Sequence, residues 1–62
     1  MIEVGQYYEL IVVKETNFGF YLDAGNLGEV LLFKKHAPKN LAINDFIRVF
    51  LYLDSEDRPI AT

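Results

Sequence analysis

Apolar and polar residues alternate along most of this chain with a period of two, not with the period of 3.6 that an amphipathic helix requires. Clusters of Gly, Pro, Asn and Asp divide the alternating segments from one another. The pattern predicts five strands, over residues 7–15, 20–23, 29–33, 46–54 and 58–62. We therefore expect an all-β protein.

The spacing of the strands favours one type of barrel. Of the four connections, three are short. The one between strands three and four, residues 34–45, is long enough to hold one short helical turn in its middle. This order is typical of a five-stranded antiparallel OB-fold barrel, although an SH3-like small barrel would share much of the pattern. Pro59 has no N–H to donate, so strand five is predicted to lie at an edge.

Alternation also assigns the two faces of each strand. The residues predicted to face the interior are Phe20, Leu22, Val30, Leu32, Ile47, Val49, Leu51 and Leu53. Those predicted to face outward are Tyr21, Asp23, Glu29, Leu31, Phe33, Arg48, Phe50, Tyr52 and Asp54. Several of the outward residues are apolar, and an exposed apolar patch is typical of a contact with another domain or protein.

Composition limits the chain to one small domain. It has 62 residues, 52% of them hydrophobic, and no cysteine for disulfides or thiolate metal sites. The first residues carry neither a basic segment nor a long apolar run, so we expect no signal peptide, no membrane span and a cytoplasmic location. The net charge of −3 argues against tight nucleic-acid binding, because neutralising phosphates supplies most of that affinity.

Four segments carry a resemblance to a known family. Residues 17–23, Asn-Phe-Gly-Phe-Tyr-Leu-Asp, are similar to the D-F-G-A-F-V-D signature of S1 RNA-binding domains. Gly28-Glu29-Val30 stands where that family has G-L-V, and residues 44–49, Asn-Asp-Phe-Ile-Arg-Val, resemble its G-D-E-V-K-V. Asp54 and Arg58 match the pair that flanks the family's last turn. The similarity covers nearly the whole chain.

Within the S1 domains, the chain is most like the first S1 domain of the bacterial conserved virulence factor B family. This likeness rests on residues 2–5, 29–32 and 53–62. Proteins of that family join several S1-like domains and end in a winged helix. The resemblance implies that residues 1–62 form a single OB domain at the N-terminus of a longer protein, with neighbouring S1-like domains as partners.

The resemblance also implies a site. In S1 domains, RNA lies across the outer face of strands two and three, and the two stacking aromatics of the family correspond to Phe18 and Tyr21. Its Asp and Arg correspond to Asp54 and Arg58. Two positions differ from the family. Its histidine position holds Leu31 here, and the only histidine of the chain, His36, comes five residues later. The family's glycine early in strand one is missing.

Each candidate residue also has a plain structural interpretation. Phe18 could plug the core, Tyr21 could merely cover the sheet, and Asp54 with Arg58 could form an ordinary surface ion pair. The basic residues of the long connection could form a positive rim beside the binding face or simply a solvated loop. They are Lys34, Lys35, His36 and Lys39.

No set of residues suggests catalysis. The chain has one histidine, one serine (Ser55) and no cysteine, and its carboxylates lack metal-ligand spacing. We therefore expect no enzyme activity, no cofactor, no metal and no small-molecule substrate. The leading hypothesis is weak, largely nonspecific binding of single-stranded RNA by one module of a multi-S1 protein. The alternative is a structural or protein-interaction module that has lost RNA binding.

Overall fold

The computed structural model describes the whole chain, Met1–Thr62, and contains five strands. They are β1 (Tyr7–Glu15), β2 (Gly19–Asp23), β3 (Glu29–Phe33), β4 (Phe46–Leu53) and β5 (Pro59–Ala61). The only helical segments are two 3₁₀ turns, Gly25–Leu27 and Lys34–His36. The all-β prediction is confirmed. The helical turn between strands three and four is also present, although it follows β3 directly instead of lying in the middle of the connection.

The strands form a closed barrel in the order β1-β2-β3-β5-β4, and β4 pairs with β1 to complete the ring. Four of the neighbouring pairs are antiparallel, whereas β3 and β5 run parallel. The prediction of a fully antiparallel barrel is therefore wrong. The reason is geometric, because five strands in a closed ring cannot alternate in direction all the way round, so at least one pair must be parallel.

Strand β5 is not at an edge, which corrects the expectation from Pro59. It lies between β3 and β4 and pairs with both. Pro59 is tolerated there because it is the first residue of the strand, where it lies opposite Leu53, the last residue of β4. The missing N–H therefore falls at the end of the ladder.

The interior of the barrel is apolar and contains no buried polar side chain. The predicted inward residues of β2 and β3 are all buried, as are Val49 and Leu51 of β4. Ile47 is half-buried, and the prediction for Leu53 is wrong because its side chain is exposed. Leu53 is the last residue of β4 and pairs with Pro59, the first residue of β5, so it lies at the end of the sheet. The contiguous core consists of Leu10, Val12, Phe20, Leu22, Ala24, Val30, Leu32, Val49, Leu51 and Ala61.

A bulge in β1 lets this strand pair with two neighbours. Residues 7–11 pair with β4, and the register with β2 shifts between Val12 and Lys14. Val13 is the extra residue and its side chain is exposed. Such a bulge bends a strand and redirects the side chains that follow it. Here it places Lys14 opposite Tyr21 on the outside of the barrel.

The N-terminal segment closes one end of the barrel. The backbone of Ile2 donates to and accepts from the side-chain amide of Asn26, at 2.9 and 3.0 Å. The N–H of Glu3 donates to the hydroxyl of Tyr8 at 2.9 Å. The bonds of Ile2 tie the first residues to the turn between β2 and β3. None of the helical segments is long and apolar enough to cross a bilayer.

Candidate functional site

A groove of about 460 Å³ lies on the outer face of β2, β3, β5 and β4. The strand register forms it by placing one outward side chain from each strand in a row across the sheet: Tyr21, Leu31, Ile60 and Tyr52. Ile60 is only 8% exposed but lies outside the contiguous core. It therefore forms an apolar floor between its neighbours. The remaining lining residues are Glu29, Phe33, Asp54, Arg58 and Pro59.

Tyr21 occupies the β2 side of this groove and is half-buried. The Nζ of Lys14 lies 5.6 Å from the centroid of its ring, close enough for a cation–π contact. The prediction that Tyr21 faces outward is confirmed, whereas Lys14 was not predicted to lie beside it. Only the bulge brings Lys14 opposite Tyr21, and simple alternation along β1 carries no signal for it.

Phe18 lies in the turn between β1 and β2 and its ring is outside the groove. The side chain is 75% exposed, so Phe18 does not plug the core. Thr16 fixes the turn, because its hydroxyl accepts the N–H groups of Phe18 and Gly19, both at 3.2 Å. Phe18 and Tyr21 do not form a ring pair, so the structure does not bring the two predicted stacking aromatics together.

Gly19 allows the close approach of β2 and β3 at this end of the groove. It lies opposite Phe33, and a Cβ at this position would collide with the carbonyl oxygen of Leu32. Directly beyond this pair, the N–H of Lys34 donates to the carbonyl of Phe18 at 3.1 Å. The turn that carries Phe18 and the start of the long connection are thereby joined.

At the other end of the groove, the turn after β4 holds Arg58 in place. Asp54 Oδ1 accepts the backbone N–H groups of Glu56 and Arg58, at 2.8 and 2.9 Å. Asp54 Oδ2 accepts from the Nε of Arg58 at 3.0 Å. A longer contact of 3.4 Å joins Arg58 Nη2 to Glu56. The ion pair predicted between Asp54 and Arg58 is present, and the side chain of Arg58 remains 67% exposed at the rim.

These hydrogen bonds also change the acidity of Asp54. The backbone N–H of Arg58 is the largest cause that lowers the pKa of Asp54 below its usual value of 3.8. Desolvation opposes this effect, while the N–H of Glu56 and the charge of Arg58 lower the pKa further. The carboxylate of Asp54 is therefore ionised at neutral pH, and this anion holds the guanidinium of Arg58.

The basic residues of the long connection lie beyond the Phe33 end of the groove, not inside it. Lys34, Lys35 and His36 form the 3₁₀ turn directly after β3, and all three side chains are exposed. None of them forms an ion pair. Lys34 and Lys39 border a separate depression together with Glu15. The cations thus extend the surface past Phe33 instead of flanking Tyr21.

Three apolar residues that alternation placed on outer faces converge in the groove. They are Leu31, Phe33 and Tyr52. Alternation predicted their direction but not their proximity, because β4 reaches β3 only through the intervening β5. Phe50, the fourth such residue, instead contacts Tyr7 on the neighbouring face. No three His, Asp or Glu side chains lie together in a way that would hold a metal ion.

Comparison with known protein families decides what kind of barrel this is. A model of the S1 domain matches residues 4–62. The chain belongs to the S1 domain family. Searches of curated proteins and of solved structures gave no significant match.

S1 domains generally bind RNA. In this S1 domain, three of the four residues that the resemblance implied for RNA stacking and contact line one groove: Tyr21, Asp54 and Arg58. Leu31, which the resemblance implied at the histidine position of the family, lies opposite Tyr21 and beside Ile60. The middle of the groove is therefore apolar.

Proposed function

We propose that this S1 domain binds single-stranded RNA weakly and largely without sequence preference, by stacking bases in the outer groove. The observation that carries the proposal is the position of the Tyr21 ring, which lies in a groove with an apolar floor, with Lys14 over the ring and Arg58 at the far rim. Every base has a flat face, so aromatic stacking tolerates any sequence and is worth about 1–3 kcal/mol per base.

The apolar centre of the groove supports a lack of sequence preference. Reading a base requires donors and acceptors directed at its edge. The floor is Ile60 and the centre is Leu31, while Asp54 already accepts three hydrogen bonds from its own turn. Arg58 shares its Nε with Asp54, and its flat guanidinium face remains free to stack on a base.

Charge supports weak binding. The chain has nine acidic and six basic residues, and Glu29 and Asp54 line the groove itself. Few phosphates can be neutralised, so the dependence of affinity on salt should be shallow. Lys14 at the Tyr21 side, with Lys34 and Lys35 beyond Phe33, are the cations free of ion pairs that lie nearest to the path of the RNA.

Weak binding by one barrel is useful if several barrels act on the same strand. Linking modules makes each later contact intramolecular and raises the combined affinity without new contacts. We therefore propose that the domain works as the N-terminal module of a cytoplasmic multi-S1 protein like those of the conserved virulence factor B family. In this proposal the domain is not an enzyme, and its partners are RNA and neighbouring S1-like domains.

Titration with short oligoribonucleotides, followed by the amide chemical shifts of the protein, tests the proposal. The signals of β2, β3 and β5 around Tyr21, Leu31 and Ile60 should move together and saturate. The proposal fails if no signal moves at millimolar RNA, or if the signals that move lie only on other surfaces.

A second candidate function is contact with another protein, and exposed apolar side chains outside the groove favour it. Phe46 and Ile43 are both at least half exposed near the end of the long connection. Under this alternative, replacing both with serine would change self-association or interdomain contact in analytical ultracentrifugation, with no effect on an RNA titration. If the replacement changes neither self-association nor interdomain contact, these two side chains do not form a protein-binding surface.

A further inference from the structure

A second cluster of aromatic and cationic side chains lies on the outer face of β1 and β4. Tyr7 and Phe50 are cross-strand partners, with ring centroids 5.1 Å apart and an angle of 58° between the ring planes. The guanidinium carbon of Arg48 lies 5.1 Å from the centroid of Tyr7. Tyr7 remains 61% exposed, so much of this cluster faces solvent.

Arg48 is free to bind an anion. It forms no ion pair, although its cross-strand partner Glu9 borders the same depression. The contact with Tyr7 holds the guanidinium near one position, which reduces the entropy lost when it binds a phosphate. A fixed cation beside an exposed ring matches the two parts of a nucleotide, its phosphate and its base.

This cluster is continuous with the groove. Phe50 and Tyr52 are two residues apart on the same face of β4, which separates them by about 7 Å along the strand. Tyr52 lines the groove, and Phe50 contacts Tyr7. An RNA strand that passes over Tyr52 therefore reaches the Tyr7 ring by following β4, without crossing an intervening strand.

We propose that Tyr7, Phe50 and Arg48 form a second platform that binds a further nucleotide of the RNA as it leaves the groove. This inference rests on the proposed RNA binding and extends the binding surface along the outer face of β4 towards β1. It explains how a small groove could belong to a longer binding path, since one barrel of this class covers about 4–16 nucleotides of a single strand.

The test compares oligouridylates of about 4 and about 12 nucleotides, because only the longer one spans both surfaces. Tyr7→Ala should lower the affinity for the long RNA about fivefold or more, which corresponds to the loss of one stacked base, and leave that for the short RNA nearly unchanged. Arg48→Gln should also weaken only the long RNA. It should reduce the slope of log affinity against log salt by about 0.7 for each phosphate that is no longer neutralised.

Phe46→Ala is the matched control, because Phe46 is an equally exposed aromatic on the same face of β4, at 63%, and lines neither surface. It should leave both affinities unchanged. Tyr21→Ala should weaken both RNAs. Thermal melts confirm that each variant is folded.

Three results would overturn the inference in different ways. If Tyr21→Ala weakens both RNAs while Tyr7→Ala and Arg48→Gln leave the long RNA unaffected, the platform is absent and the groove alone binds RNA. If neither length binds the unmodified domain, the proposed function and the platform fail together. A change in self-association on Tyr7→Ala, without a change in RNA affinity, would assign the surface to a protein contact.

Discussion

The two ends of the groove carry cations in different ways. At one end, Arg58 is held by Asp54 through both its backbone N–H and its Nε. At the other end, beyond Phe33, Lys34 and Lys35 have no side-chain hydrogen bond or ion pair at all. There only the backbone has a partner, because the N–H of Lys34 donates to the carbonyl of Phe18.

This difference separates two contributions to RNA binding, the fixed orientation of a cation and its charge alone. A guanidinium held by a carboxylate offers its flat face in one orientation, whereas ammonium groups without a partner attract phosphates without fixing their position. The Arg58 end should therefore determine how the RNA is placed, and the Lys34 end should mainly determine how strongly affinity depends on salt. Each of the following changes tests one part of that division.

The largest expected effect comes from Gly19→Ala, which disturbs the pairing of β2 with β3 next to Lys34. The new Cβ would collide with the carbonyl of Leu32 and force β2 away from β3, so the free energy of unfolding should fall by about 1–3 kcal/mol or more. Urea denaturation measures the loss. Asn17→Ala is the control, because Asn17 is exposed in the same turn. Equal stability of the two variants would contradict the close approach.

Arg58→Lys should lower RNA affinity on the order of fivefold although the charge is kept. A lysine cannot donate from a planar fork to Asp54 and cannot stack on a base in the same way. The reciprocal change Lys34→Arg should leave affinity unchanged, because nothing fixes that side chain. Isothermal titration with one oligoribonucleotide measures both, and equal effects at the two ends would remove the distinction between them.

Removing the charges at the Lys34 end should have a smaller effect that depends on salt. The double variant Lys34→Gln/Lys35→Gln should reduce the slope of log affinity against log salt by at most about 1.4, or about 0.7 per neutralised phosphate. Its free energy of unfolding should stay within about 0.5 kcal/mol of the unmodified domain, because both side chains are exposed. A slope that does not change would exclude these lysines from the interface.

The smallest effect is the contribution of Asp54 to stability at low pH. Its pKa is lower in the folded domain than the usual value of 3.8, so its stabilising contribution is present above that value. The contribution is lost as the pH falls through the lowered pKa of the folded state. Urea midpoints measured from neutral pH into this range should fall less steeply for Asp54→Asn. An identical pH dependence would contradict the hydrogen-bonded carboxylate.

Alternation in the sequence was sufficient to predict which residues of β2 and β3 face the core, because one face of each strand is fully covered. It failed at Leu53, which alternates correctly but is the last residue of β4 and remains 46% exposed. The parallel pairing of β3 with β5 is a property of the closed ring, so no single strand contains a signal for it.

The candidate site was predictable only where it depends on local sequence. Asp54 and Arg58 are four residues apart around one turn, and their ion pair forms as expected. Lys14 was not predicted, because a bulge of one residue decides which side of β1 it occupies. Phe18 was expected beside Tyr21, but it lies in the preceding turn and does not line the groove.

The central claim is that a base stacks on Tyr21. The most direct measurement is the transfer of magnetisation, by the intermolecular nuclear Overhauser effect, between base protons of a short oligouridylate and the ring protons of each tyrosine. Contacts from a base to the ring of Tyr21, across the groove from Tyr52, are the predicted result. Saturated binding in which the bases contact other residues but never the Tyr21 ring would contradict the claim.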